Sequence, residues 1–165
     1  MNPLWQEVSN SVPPAAEVVR AALRLVGSLL IGTIIGLQRE LTHKPAGLRT
    51  HLLVALGSTL LVVAAVNAGM KSGDVSRVIQ GLITGIGFLG GGTILKLTHE
   101  HEIRGLTTAA GIWLTAAASI AVGLGKFVDA FIGVLFALIV LSAIGKFSGN
   151  GTSASESKSS DRHRV

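Results

Sequence analysis

Residues 105–125 read GLTTAAGIWLTAAASIAVGLG, twenty-one positions without one Asp, Glu, Lys or Arg. A helix crosses the hydrocarbon core of a bilayer in about 20 residues. A surface helix of a soluble protein needs a polar face, which this stretch lacks. Its neighbours repeat the pattern. Leu52–Met70 and Val78–Leu95 are equally free of charge, Ala21–Leu37 holds only Arg24, and Phe127–Gly145 holds only Asp129. Together the five runs fill most of the 165 residues. The expected fold is all-α, a polytopic transmembrane helical bundle of about five spans.

Composition agrees with that solvent. The chain is 48% hydrophobic and 14% charged, against about 25% charged in soluble domains, and its mean hydropathy is +0.60. A membrane β-barrel would alternate apolar and polar residues over about ten positions, whereas these runs are continuous. Twenty-one glycines suit membrane helices whose backbones approach closely. With no cysteine, disulfides, thiol nucleophiles and thiolate metal sites are excluded. The net charge of +5 does not indicate nucleic-acid binding, because the basic residues sit in connections and tail and form no folded patch.

With five spans, Arg20, Arg24, Lys71, Arg77 and Lys126 fall on one side. Arg39, Lys44, Arg49, Lys96, Arg104, Lys146, Lys158, Arg162 and Arg164 fall on the other. Short connections rich in Lys and Arg stay in the cytoplasm, so nine against five predicts an outside N-terminus and a cytoplasmic C-terminus. Residues 1–20, polar and without a basic segment before an apolar core, read as an extracytoplasmic segment and not a cleavable signal. Residues 21–146 form the transmembrane domain. The Ser-rich residues 147–165 read as a disordered polar tail.

Several motifs carry two readings. Gly85-x-Gly87-x-x-Gly90 matches a dinucleotide fingerprint, but that motif needs a strand before it and a helix after it. Within an apolar run, the pairs Gly81/Gly85 and Gly87/Gly91 read as helix-packing seams, or Gly90–Gly92 as a broken helix lining a cavity. His99, Glu100, His101 and Glu102, with His43 and His51 on the same side, read as a solvated loop before a metal site. Arg49 and Arg104 precede the second and fourth spans, at helix ends that are electrically positive. Cations there serve as membrane anchors, or they mark a nearby anion in a network of Arg39, Glu40, Arg49 and Arg104. A faint echo, GLRT at 47–50 against GLTT at 105–108, raises parallel repeats about the membrane normal.

Taken in order, GLQRE at 36–40, PAGLRT at 45–50, GIGFLGGGTIL at 85–95 and RGLTTAAGIW at 104–113 resemble the MgtC/SapB family of bacterial inner-membrane proteins. The resemblance covers roughly residues 20–145. Gln38 stands where an acidic residue is frequent in the family, and Val75 follows Asp74 where many members have Pro. Many members also carry a soluble C-terminal domain that is not seen after residue 146. The resemblance implies a role in magnesium homeostasis and, in pathogens, in virulence through intracellular survival. It further implies a non-enzymatic modulator of another membrane complex such as ATP synthase, in contact with the lipid bilayer and open to homo-oligomerisation. Its motif positions map onto Arg39, Glu40, Arg49, Thr50, Asp74, Arg104 and Thr107, with Gly47, Gly87, Gly91 and Gly105 beside them.

The residues themselves leave two alternatives. A small-solute or magnesium transporter would need hard oxygen ligands and intramembrane ionisable groups, yet Glu40, Asp74 and Asp129 all lie at span ends. An enzyme would need a nucleophile with its base or a carboxylate pair, and neither spacing occurs. No catalytic residue, metal ligand or cofactor is therefore expected.

Overall fold

A computed structural model describes residues 13–97 and 102–149. Five helices follow one another: α1 Ala15–Leu41, α2 Leu48–Asn67, α3 Ser72–Gly91, α4 Leu106–Gly123 and α5 Phe127–Gly149. Between α3 and α4 lies a short antiparallel hairpin of β1 Leu95–Leu97 and β2 Glu102–Arg104, with Leu95 opposite Arg104. The all-α bundle is as expected, and the hairpin is an addition to it.

Local chemistry sets the boundaries. Pro14 stands at the N-cap of α1, where its fixed φ and missing N–H cost nothing. Helices α2 and α4 close alike. Gly69 and Gly125 adopt left-handed φ of 71° and 82°, and the following residues donate back five positions, Met70 to Ala65 O and Lys126 to Ala121 O. That is the Schellman closure, which glycine adopts without a Cβ penalty. Three glycines in a row end α3 at Gly91, with Gly92 as its cap. The expected run Val78–Leu95 is thus displaced: α3 begins earlier, on Ser72, and Leu95 belongs to β1. Gly90–Gly92 terminate a helix and do not interrupt one.

Helices α1, α2 and α4 are long and apolar enough to cross a membrane by length and composition, and Phe127–Ser142 of α5 is apolar but shorter. Helix α3 carries Asp74 and Arg77 in its first turns, which shortens its apolar part. Of the five helices, α1, α2 and α4 meet both the length and the apolarity among the described residues, and α3 and α5 complete the bundle beside them. Helix α1 starts before the expected boundary at residue 21 and α5 continues past residue 146. The remainder of the proposed tail lies outside the described residues.

Helix α4 is the centre of the bundle. One side joins Val54, Val62, Leu82, Ile112, Ala116 and Ile120 of α2, α3 and α4, and the other joins Ile31, Ile35, Ala118, Val122, Ala130 and Val134 of α1, α4 and α5. Its alanine-rich sequence lets neighbours close on it from both sides. The outward faces keep large apolar side chains exposed: Leu53 is 71% accessible, Phe88 88% and Phe136 63%. Such surface is unfavourable in water and neutral against lipid tails.

The glycines that seat helices on each other are not those of the expected seams. Beside Gly32 an added Cβ would lie 2.9 Å from His51 O, and at Gly36 2.8 Å from Leu48 Cα. Gly32 and Gly36, both buried, stand four residues apart on the α1 face that meets α2. At Gly81, Gly85, Gly87 and Gly91 nothing comes within 4 Å. Helix α3 buries only Val75, Leu82 and Gly90, and Gly90, outside both expected pairs, is its glycine packed near Ala109. The α3 seams do not close on another helix of this chain.

Candidate functional site

Where α1 ends and α2 and α4 begin, a polar cluster is buried between the three helices. Arg39, in the last turn of α1, is 2% exposed, and its Nη2 donates to Thr108 Oγ1 at 2.9 Å. His51, one turn into α2, is fully buried, with Nδ1 2.7 Å from Thr115 Oγ1. Thr115 donates its own proton to Gly111 O at 2.9 Å. Its oxygen is therefore free to accept in the contact with His51, an arrangement that assigns a proton to Nδ1.

Gly111 holds the cluster open. A Cβ there would lie 3.6 Å from His51 Cε1 and 4.0 Å from Arg39 Nε, so both side chains converge on one bare stretch of α4. Arg39 Nε, His51 Nε2, Gln38 Oε1 and Ser119 Oγ are buried without a hydrogen-bond partner. Unpaired polar atoms are costly in a dry interior. Arg39 also approaches the N-terminal end of α4, where the helix dipole disfavours a cation.

The neighbouring carboxylate is already engaged. Glu40 Oε2 accepts from Leu48 N at 2.9 Å, capping α2 at the end where an anion is favoured. The N-cap residue itself, Gly47, has no side chain to do this. A Cβ on Gly47 would collide with that Glu40 oxygen. The anion expected near Arg49 is thus supplied by Glu40 to the backbone at α2.

The other candidates distribute unevenly. Thr107 and Arg104 are exposed at the start of α4, Arg104 already engaged in an interaction, and Arg49 is exposed with Thr50 half-buried beside it. All four lie at the same end of the bundle as Arg39 and Glu40. Asp74 is exposed on α3 and stands apart from that group. Of the His/Glu cluster, residues 99–101 lie outside the described residues, and no group of three His, Cys, Asp or Glu able to hold a metal occurs among those described. His51 is not on a solvated loop as expected, because α2 begins at Leu48 and turns it inward.

Sequence reasoning passed over the inner members, Thr108, Gly111 and Thr115. Their signal was a set of polar residues in an apolar helix: Thr108, Thr115 and Ser119 are all buried, seven and four residues apart on one face. On α2, His51, Ser58 and Thr59 form the matching stripe, and Thr59 donates to Ser119 O at 2.8 Å.

The model of the MgtC family matches residues 25–149. SrpB of Synechococcus elongatus is 39% identical over 140 residues, covering 78% of this chain and 77% of that protein. SapB of Bacillus subtilis is 39% identical over 124 residues, covering 71% of this chain and 53% of its own length. YhiD of Escherichia coli, which its name describes as a candidate magnesium transporter, is 36% identical over 126 residues, covering 72% and 58%. The chain thus spans little more than half of SapB and YhiD. No solved structure matches.

Proposed function

The chain belongs to the MgtC family, and from that we propose a non-enzymatic protein of the bacterial inner membrane that modulates another membrane complex during adaptation to low magnesium. The N-terminus is outside and the C-terminus cytoplasmic in this reading, which follows the charge count. The observation that carries the reading is the state of α3. On this helix a Cβ added at Gly81, Gly85, Gly87 or Gly91 would meet no atom of another described element within 4 Å. Glycine in a membrane helix is useful chiefly where another backbone comes close, and in this reading that backbone belongs to a partner protein. ATP synthase is the partner implied by the family resemblance, and the buried Arg39–His51 cluster at the cytoplasmic end is the candidate element that responds to conditions.

The test is crosslinking and co-purification from native membranes grown under magnesium limitation. Gly87→Leu is expected to insert normally and to lose the partner. Retention of the same partner by the variant would refute the docking face.

Magnesium transport is the second reading, favoured by the name of YhiD. It is opposed by the electrostatics, because the ionisable side chains buried deepest among those described are Arg39 and His51. A path past a buried guanidinium repels a divalent cation, and Mg²⁺ prefers carboxylates and retained waters. Magnesium flux into proteoliposomes holding this protein alone would establish transport and displace the regulator.

A further inference from the structure

At the opposite end of the bundle, α1 and α5 enclose a groove of about 530 Å³. Leu23, Leu30, Phe127 and Phe131 line it, and its charged lining groups are two arginines, Arg20 and Arg24. The arginines are four residues apart on α1, so they share a helix face one turn from each other. Like charges so placed repel. Their hydrogen bonds go to backbone carbonyls: Arg20 Nε to Ala16 O at 3.2 Å and Arg24 Nη1 to Gly123 O at 3.0 Å. The second contact anchors Arg24 at the C-terminal end of α4, where a cation is favoured. It uses one of the five guanidinium N–H donors.

Depth along the helix matches a bilayer. Arg20 and Arg39 are separated by nineteen residues of α1, about 28 Å at 1.5 Å per residue, close to the hydrocarbon thickness of about 30 Å. Arg20 and Arg24 therefore lie at one headgroup level. The groove runs from them toward the hydrocarbon, past Leu23 and Leu30, which are 60% and 51% exposed. A groove with a doubly cationic mouth and an apolar body has the chemistry of one amphiphile, an anionic headgroup carrying an acyl chain.

We propose that the α1–α5 groove is a binding site for an anionic phospholipid, its phosphate held by Arg20 and Arg24 and one acyl chain lying against Leu23, Leu30 and Phe131. The site is independent of the docking face on α3 and of the Arg39 cluster.

Native mass spectrometry of the full chain in detergent, titrated with phosphatidylglycerol or phosphatidylcholine, reads the headgroup. Phosphatidylglycerol is expected to bind at least fivefold more tightly than phosphatidylcholine, and R20Q/R24Q is expected to erase that preference. Should R24Q fail to fold through loss of its Gly123 contact, R20Q alone is expected to reduce the preference at least twofold. Photo-crosslinking from Leu30→p-benzoylphenylalanine in native membranes reads the groove, and a phospholipid adduct is expected. Equal retention of the two lipids by the unaltered protein, an undiminished preference in the arginine variants, or crosslinks to residues 1–12 or to a second copy would overturn the proposal.

Discussion

Replacing Gly36 by Ala tests the packing on which the buried cluster depends. The new Cβ would stand 2.8 Å from Leu48 Cα, 3.1 Å from His51 Cβ and 3.2 Å from Leu48 O. Carbon atoms at rest sit about 3.5–4.0 Å apart, so the contact is short by roughly 0.7 Å. Two of the three neighbours are backbone, and no rotamer change relieves them. Helix α2 must move off α1. Overpacking of this kind costs about 1–3 kcal/mol, while Ala in place of Gly returns up to about 1 kcal/mol of helix propensity. The expected net loss is about 1–2 kcal/mol. Gly85→Ala is the matched control: nothing lies within 4 Å of its Cβ, so the propensity gain stands alone at about 0.5–1 kcal/mol. The two substitutions therefore have opposite sign and differ by roughly 2 kcal/mol. Unfolding in mixed micelles, followed by tryptophan fluorescence in a Trp5→Phe background that leaves Trp113 as the reporter, separates them. If Gly36→Ala is as stable as Gly85→Ala, the α1–α2 contact is not held by glycine and the reasoning fails.

Other substitutions probe the site directly. Thr108→Val removes the one acceptor observed for a guanidinium that is 2% exposed, and should destabilise by about 2–4 kcal/mol in the same unfolding assay. Arg39→Met removes the buried charge as well, so it should cost under about 1 kcal/mol in that assay. A larger loss for Met than for Val at these two positions would contradict the assignment. Gly47→Ala drives a Cβ into the space of the Glu40 carboxylate, so the exposed side chain should swing away and release the Leu48 amide, and a double-mutant cycle with Glu40→Ala should show coupling of about 1 kcal/mol, the worth of that cap. Gly105 has φ of 97° and its Cβ would strike Thr93 O. Gly105→Ala should therefore loosen the start of α4, seen as faster proteolysis between residues 92 and 105, and unchanged cleavage would exclude that strain.

The buried cluster separates what a single chain reveals from what it hides. Arg39 and Glu40 were recognisable together as a charged pair at the end of an apolar run, but the structure divides them. Arg39 turns inward to Thr108 on α4, and Glu40 turns to the Leu48 amide of α2. Adjacent helical residues point about 100° apart, so neighbours in sequence seldom share an environment. His51 was grouped with loop histidines because α2 was expected to begin at Leu52. Its start at Leu48 moves the imidazole from the connection to the core.

The α3 glycines show the same limit from another side. Small-xxx-small spacing states that a close approach is possible and does not state with which helix. Gly32 and Gly36 carry the same spacing as Gly81 and Gly85, yet only the first pair meets a backbone of this chain. The charge-free runs determined by themselves that the helices belong in a membrane, because transfer of a helix into lipid depends on summed side-chain polarity and hardly on neighbours. Which glycines pack, which arginine is buried and which threonine receives it were decided only by the tertiary structure. Those outcomes are set by the rotation and register of one helix against another, which arise from pairwise contacts between residues as distant in sequence as Arg39 and Thr108.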